Sequence, residues 1–270
     1  MRAAGRPVSL FSVTVRVCSF LLATSIIHIM LLKNSCILAV ALLLTSTVVA
    51  EEPWQNLITP GSLKGWKKVG GDASYEIKDG VITGTTGQGK NTFLTKGPFA
   101  DFELEFTVKC DAPLNSGVQF RSHLYPKATP QESRPKRIRE KGEMYGYQCE
   151  IRSDVNAPNG CAGNVWDEGR RTKWMDTNVK AAAAQKAYNP SQWNRFRIRA
   201  NGDHLQTFVN GVKVADFHDD RDASGLIGLQ VHSIKKGTGP YHVSWKDIRI
   251  RKIKTASPKP ASAKPASSNP

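Results

Sequence analysis

Short runs of alternating apolar and polar residues follow one another between residues 75 and 250. This period of two is typical of β-strands, and Gly, Asn, Asp and Pro separate the runs as turn residues do. Two pairs of runs predict hairpins, with turns at Asp79-Gly80 and Asn210-Gly211. Further strands are predicted over 102–108, 117–122, 147–152, 196–200, 226–232 and 243–250, and only 179–187 favours a helix. The pattern predicts an all-β, two-sheet sandwich.

The N-terminal part of the chain has a different character. Residues 34–50 are mostly apolar, follow Lys33, and close on Val48-Val49-Ala50, small residues of the kind that a signal peptidase reads. We therefore predict a signal peptide over residues 1–50, and a translation start at Met30 would give a signal of ordinary length. A retained membrane anchor is the alternative.

The C-terminal residues 255–270 contain only Thr, Ala, Ser, Pro, Lys and Asn, which predicts a disordered tail. One domain remains, over residues 51–254, and it is large enough for a sizeable core. We expect export to the periplasm or the extracellular space, with no membrane span after the signal is removed. The sequence does not indicate an oligomeric state.

The net charge of the chain indicates which kinds of binding partner to expect. The chain carries 38 Lys and Arg against 23 Asp and Glu, a formal net charge of +15. A basic exported surface suits acidic polysaccharide or anionic lipid. The basic residues are scattered, and the run 134–139 predicts a solvated loop rather than a recognition helix, so nucleic acid is not expected as a partner.

Three of the five cysteines, Cys110, Cys149 and Cys161, lie beyond the predicted signal peptide. Cys149 and Cys161 could form a disulfide in an oxidising compartment, which would leave one thiol over. Burial as small hydrophobic residues is an equal alternative. None of the three has the spacing of metal ligands.

Three predicted strands carry polar groups capable of chemistry on one face. The face opposite the apolar side chains holds Gln119 and Arg121 on the first strand, Gln148, Glu150 and Arg152 on the second, and Gln230 and His232 on the third. This clustering fits a concave polar groove, and an ordinary polar outer face remains the alternative.

Several segments, taken in order, resemble a known family. They are Gly65-Trp66, Tyr75-Glu76-Ile77, Asp79-Gly80-Val81-Ile82-Thr83-Gly84, Phe99-Ala100-Asp101-Phe102-Glu103-Leu104, Asn115-Ser116-Gly117-Val118-Gln119-Phe120-Arg121-Ser122, Gly146-Tyr147-Gln148-Cys149-Glu150-Ile151, Trp166-Asp167-Glu168, Arg170-Arg171, Trp193-Asn194, Asn210-Gly211, Gly225-Leu226-Ile227-Gly228-Leu229-Gln230 and Asp247-Ile248-Arg249-Ile250. Over about residues 54–253 the chain is similar to the 3-keto-disaccharide hydrolase family. The resemblance implies a concanavalin- or laminin-G-like jelly roll that cleaves 3-keto-glucosides by elimination to a 2-hydroxy-glucal, which can then be hydrated.

That chemistry requires a base near C2, positive or hydrogen-bonding groups for the enolate, and an acid for the departing oxygen. We expect Glu150 or His232 to be the base and Arg121, with Arg152, to stabilise the enolate. The residues expected to bind substrate are Asn115, Gln119, Gln148, Arg152, Trp166, Asp167, Arg170, Arg171 and Gln230, with Trp174 as another stacking ring.

The chain departs from the family pattern at two places. Cys149 replaces a usual Ala and should lie on the core face, and the basic, proline-rich segment 126–141 should reshape the mouth of the groove. No cofactor is predicted, although a divalent cation could assist the enolate. A carbohydrate-binding module without catalysis is the main alternative function, and a structural surface protein with a basic tail is another.

Overall fold

The structure is a computed structural model that describes residues 52–152, 162–176 and 186–253. This part of the chain forms sixteen strands: β1 (Gln55–Asn56), β2 (Lys67–Gly70), β3 (Ser74–Lys78), β4 (Val81–Thr85), β5 (Thr92–Phe99), β6 (Phe102–Cys110), β7 (Ser116–Leu124), β8 (Thr129–Gln131), β9 (Arg134–Arg139), β10 (Met144–Ile151), β11 (Val165–Glu168), β12 (Asn194–Asn201), β13 (His204–Val209), β14 (Val212–His218), β15 (Gly225–Val231) and β16 (His242–Lys252).

These strands form two large antiparallel sheets and one small one. The first has the order β14-β13-β12-β6-β16-β4-β3, with β1 added beside β16, and the second has the order β11-β10-β7-β15-β5-β2. Strands β8 and β9 pair separately as a short hairpin. The arrangement is a jelly-roll β-sandwich, so the predicted fold class is confirmed.

Turn chemistry explains the two predicted hairpins, β3–β4 and β13–β14. At their turns the backbone φ angles are +51° and +76° for Asp79 and Gly80, and +48° and +87° for Asn210 and Gly211. Asp, Asn and Gly tolerate these left-handed conformations better than other residues, which makes such dipeptides suitable for a tight two-residue turn.

The core lies between the two large sheets and takes every second residue of their strands. Leu104 and Phe106 of β6 pack from one sheet, and Val118 and Phe120 of β7 pack from the other, all essentially without solvent exposure. Burial of each such side chain contributes about 1.5–3 kcal/mol. Cys149 lies in the same cluster, so its predicted place on the core face is confirmed.

Two segments differ from their predicted structure. Residues 134–139, expected to be a loop, form β9, and residues 165–168, which lie outside the predicted strands, form the edge strand β11. Both are short edge elements whose sequences alternate too briefly to be recognised.

The predicted signal peptide, the tail, Cys161 and most of the predicted helix over 179–187 lie outside the described residues. The proposed Cys149–Cys161 disulfide therefore stays a prediction. Within residues 52–152, 162–176 and 186–253, no helix is both long enough and apolar enough to cross a membrane.

Candidate functional site

The outer face of the second sheet carries a row of amide and carboxylate side chains. In the register of β7 and β10, Gln119 pairs with Gln148 and Gly117 with Glu150, while Gln230 of β15 pairs with Gly117 from the other side. Their chain neighbours point into the core, so these side chains project from the opposite face. Adjacent strands therefore place them side by side.

Hydrogen bonds run along this row from Gln119 through Gln148 to Glu150. The Gln119 Nε2 donates to Gln148 Oε1 at 3.1 Å, and Gln148 Nε2 donates to Glu150 Oε1 at 2.7 Å. Asn115 Nδ2 donates to the second carboxylate oxygen of Glu150 at 3.2 Å. Both oxygens of Glu150 are thus held in place by amide donors.

Other polar atoms of the row have no protein partner. The Oε1 of Gln119, the Oδ1 of Asn115 and both amide atoms of Gln230 are buried without a hydrogen bond. A buried amide without partners costs about 1–3 kcal/mol. Gln119 and Gln230 are fully buried, so their unpartnered atoms are a cost to the fold and are not open to a ligand in this structure.

Gly117 allows the close approach of β7 and β10 at this point. A Cβ atom there would lie 2.6 Å from the Cγ of Gln148, well inside van der Waals contact. A larger residue would displace Gln148 and with it the donor to Glu150. Gly117 is therefore needed for Gln148 to keep its position beside Glu150.

Two adjoining cavities open above this row. The first, which we call the carboxylate cavity, has a volume of about 250 Å³ and is lined by Asn115, Gln148, Glu150, Arg152, Trp166, Glu168, Trp174 and His232. The second, which we call the basic cavity, has a volume of about 580 Å³ and shares Trp166, Glu168 and His232 with the first. Together they form the groove expected from the polar faces.

The β8–β9 hairpin forms one wall of the basic cavity. Arg134, Arg137, Ile138 and Arg139, all from β9, line it. The segment 126–141 therefore shapes the mouth of the groove, as predicted.

Glu150 has an unusual electrostatic environment. Its side chain is almost fully buried, and this burial raises the pKa of the carboxyl group to about 7 despite the hydrogen bonds from Gln148 and Asn115. The nearby charge of Glu168 adds to the rise, and that of Arg152 opposes it. A carboxyl group with a pKa near 7 can hold or release a proton under ordinary conditions.

The protonation pattern of His232 follows from its neighbour. Its Nδ1 lies 2.6 Å from the backbone oxygen of Ser233, which can only accept a hydrogen bond. The Nδ1 must therefore carry the proton, and in the neutral ring Nε2 is left with a lone pair. His232 lines both cavities, so this lone pair is available as a base at the groove.

Two aromatic side chains line the carboxylate cavity. Trp166 and Trp174 pack edge to face, with ring centroids 5.0 Å apart. Both predicted stacking residues therefore line the same cavity as Glu150 and His232.

Arg121 does not join the other predicted catalytic residues. It lies at an irregularity in β7 with a φ of +46°, and its guanidinium donates to the backbone oxygens of Ala100, Gly202 and Asp222. It also pairs with Asp101 at 2.6 Å and is only 1% exposed. Arg121 therefore has a structural role, because it links three separate backbone segments. Arg152 is the arginine that lines the carboxylate cavity.

Five further residues expected at the substrate line neither cavity. Two of them, Gln119 and Gln230, are fully buried within the row of amides.

The other three lie together in a different part of the molecule. Asp167 is on the core side of β11, opposite Tyr147, and is completely buried. It pairs with Arg170 at 2.9 Å and with Arg171, which pairs with Asp219 at 2.7 Å. Asp167, Arg170 and Arg171 therefore belong to a buried ionic network and are absent from the lining of both cavities.

Glu168 lines both cavities and was not among the residues expected to react with or bind the substrate. It pairs with Gly146 in the ladder, so it shares the groove face with Trp166 and not with Asp167. The alternation within Trp166-Asp167-Glu168 could have shown this, since side chains two apart share a face. No strand was predicted over these residues, so the alternation was not applied to them.

No group of three or more His, Cys, Asp or Glu side chains in the described residues is arranged to hold a metal ion. The sequence left a divalent cation open, and these residues name no site for one.

Comparison with known proteins identifies the class and then the family. A protein of galectin-like fold from Bacillus subtilis is 12% identical with a TM-score of 0.52, covering 75% of this chain and 96% of that one. A candidate glycosyl hydrolase from Parabacteroides distasonis ATCC 8503 is 19% identical with a TM-score of 0.48, covering 74% and 94%. The carbohydrate-binding module CBM66 from Bacillus subtilis is 12% identical with a TM-score of 0.48, covering 74% and 100%.

The first of these similarities supports a jelly-roll protein of the galectin-like kind. The family follows from the sequence itself: residues 53–251 match the model of the 3-keto-alpha-glucoside-1,2-lyase-like domain, and the chain belongs to that family. This confirms the resemblance found in the ordered segments. No curated protein matches the chain.

Proposed function

We propose that the protein cleaves glycosides whose sugar has been oxidised to a ketone at C3, by eliminating the substituent on C1. The observation that carries this proposal is that one cavity is lined by a carboxyl group with a pKa near 7 and by an imidazole with a free Nε2. Membership of the lyase-like family supports the same chemistry.

The two groups suit opposite proton transfers. A ketone at C3 acidifies the proton on C2, and the Nε2 of His232 takes that proton as the C1–C2 double bond forms. Glu150, protonated because burial raises the pKa, donates its proton to the oxygen that leaves C1. The products are a 3-keto-2-hydroxy-glucal and the free alcohol, and exchange with water restores both groups. Such paired transfers typically contribute 10²–10⁴-fold each.

The remaining groove residues suit binding and charge stabilisation. The guanidinium of Arg152 lines the carboxylate cavity and would offset the negative charge on the C3 oxygen. The amides of Asn115 and Gln148, which line the carboxylate cavity, would bind sugar hydroxyls. Trp166 offers an apolar ring for one face of the sugar. We also propose that the enzyme is exported, which rests on the N-terminal sequence alone.

The test is to replace Glu150 by Gln and His232 by Ala and to follow release of the alcohol from a 3-keto-glucoside. We expect each change to lower kcat at least about 100-fold while sugar affinity changes little. Glu76→Gln, an exposed carboxyl change on the other sheet, is the matched control and should leave kcat unaltered.

The pH profile separates the two roles. If Glu150 is the acid, the wild-type rate falls as the pH rises through about 7, whereas a base at this position would give a rate that falls as the pH drops through it. Full turnover in both variants would overturn the assignment.

A carbohydrate-binding module without catalysis is the second candidate, because the two tryptophans that line the carboxylate cavity suit a sugar ring in either case. That function predicts saturable binding of saccharide with no product from any 3-keto-glycoside.

A further inference from the structure

The basic cavity has an excess of positive charge that its own carboxylates do not neutralise. Lys90 and Arg139 both pair with Glu143, at 2.9 Å and 3.3 Å. Arg134 and Arg137 line the same cavity, are exposed, and have no carboxylate within reach in the described structure. Two guanidinium groups are thus held at the cavity without a counter-charge.

Apolar side chains line the basic cavity together with these charges. Ile138 is 49% exposed, an unusual exposure for a large aliphatic residue, and it lines the basic cavity together with Phe93 and Trp166. An apolar surface beside charge suits a sugar ring, which has an apolar face and a polar rim. The surface therefore fits a saccharide better than a small inorganic ion.

The two cavities adjoin. They share Trp166, Glu168 and His232, so a molecule reacting beside Glu150 would extend its leaving portion past His232 into the basic cavity. Glu168 lines both cavities and disfavours an anion beside it, whereas the positive charges of Arg134 and Arg137 favour one.

We propose that the basic cavity binds an anionic group, a carboxylate or a sulfate, on the saccharide unit that leaves from C1. The preferred substrates are then acidic oligosaccharides, in which arginine forms charge-assisted, paired hydrogen bonds with the anion. This inference rests on the proposed function for its direction along the groove. Binding of an acidic saccharide can nevertheless be measured without catalysis.

The experiment compares three proteins in calorimetric titrations with a glucuronate-containing disaccharide, a 6-sulfated disaccharide and their neutral parent. The proteins are the wild type, the double variant Arg134→Gln with Arg137→Gln, and the control Lys127→Gln with Lys136→Gln. The control removes the same charge from the same segment, but neither lysine lines the cavity. The two acidic ligands show whether carboxylate or sulfate is preferred.

We expect the wild type to bind an acidic ligand at least about tenfold more tightly than the neutral one, as hydrogen bonds to charged groups allow. The arginine double variant should lose this preference, the lysine control should keep it, and raised salt should weaken it. Equal affinity for acidic and neutral ligands, or an equal loss in the control, would overturn the proposal.

A parallel assay keeps this inference separate from the proposed function. With 3-keto-glycosides that differ only in a charged or neutral leaving group, the arginine variant should raise KM for the charged one and leave kcat unchanged. No release from any 3-keto-glycoside, with selective binding of the acidic saccharides intact, would refute the lyase and leave the anion site standing.

Discussion

At the scale of single residues, the site depends on how each polar group meets its neighbours. Glu150 accepts hydrogen bonds from two amide donors, and yet its burial raises the pKa well above the ordinary value of a glutamate. His232 owes its free Nε2 to one backbone oxygen. These are features of the fold, because neither follows from the residue type alone.

The buried charge of Glu150 should lower stability as the pH rises. Its pKa is near 7 in the folded state and ordinarily 4.5, so folding favours the neutral form. The stability present below pH 4.5 is therefore lost as the pH rises through about 7. When the pH rises from 4.5 to 8, the unfolding free energy of the wild type should fall by about 3 kcal/mol relative to that of Glu150→Gln, which has no titrating group at this position.

Urea unfolding of both proteins at a series of pH values measures this difference. A difference that stays constant over the range would show that Glu150 titrates normally.

At the scale of elements, alternation along a strand decides which residues reach the groove. The strands β7, β10 and β15 were evident from their period of two, and Gln119, Gln148, Glu150 and Gln230 were placed correctly on one face. Arg121 broke the rule because a residue with φ of +46° interrupts the alternation, and no pattern of residue types announced it.

The edge strand β11 gives a direct comparison between neighbouring carboxylates. Asp167→Asn should lower the unfolding free energy by about 3–5 kcal/mol, because it removes the charge between two buried arginines. Glu168→Gln should have an unfolding free energy within about 0.5 kcal/mol of the wild-type value. It should also shift the pH dependence of the rate to lower pH, because the charge of Glu168 helps to raise the pKa of Glu150.

Chemical denaturation and a pH–rate profile of each variant check this pair. The reverse result, with a stable Asp167→Asn and an unfolded Glu168→Gln, would mean that the two side chains have exchanged faces.

At the scale of the whole molecule, the sequence was sufficient to predict the β-sandwich but not to predict its buried ion pairs. The hairpin turns and the alternating strands are local features, so they were readable. The network of Asp167, Arg170, Arg171, Asp219 and Asp222 joins segments far apart in the chain, and only the closed fold brings them together. The sequence therefore indicated charge in these loops without showing that it is buried.

This network should make the molecule sensitive to acid. Burial alone would raise the pKa of Asp219 and of Asp222, but hydrogen bonds from Arg171 and Tyr147 to the first, and from His123 and Arg170 to the second, outweigh it and lower both. Their stabilising effect is present above the ordinary pKa near 4 and is lost as the pH falls through the depressed values.

Thermal unfolding below pH 4 should therefore occur at steadily lower temperature, and Asp219→Asn should reduce that dependence. An unfolding temperature that does not change between pH 5 and pH 2 would contradict this account.

The most direct test of the central claim is release of a chromogenic alcohol from a 3-keto-glucoside by the purified protein, measured beside the same glucoside without the ketone. We predict release from the keto compound alone, because only a C3 ketone acidifies the C2 proton that His232 must remove. Equal release from both compounds would point to ordinary glycoside hydrolysis, and release from neither would contradict elimination chemistry at this site.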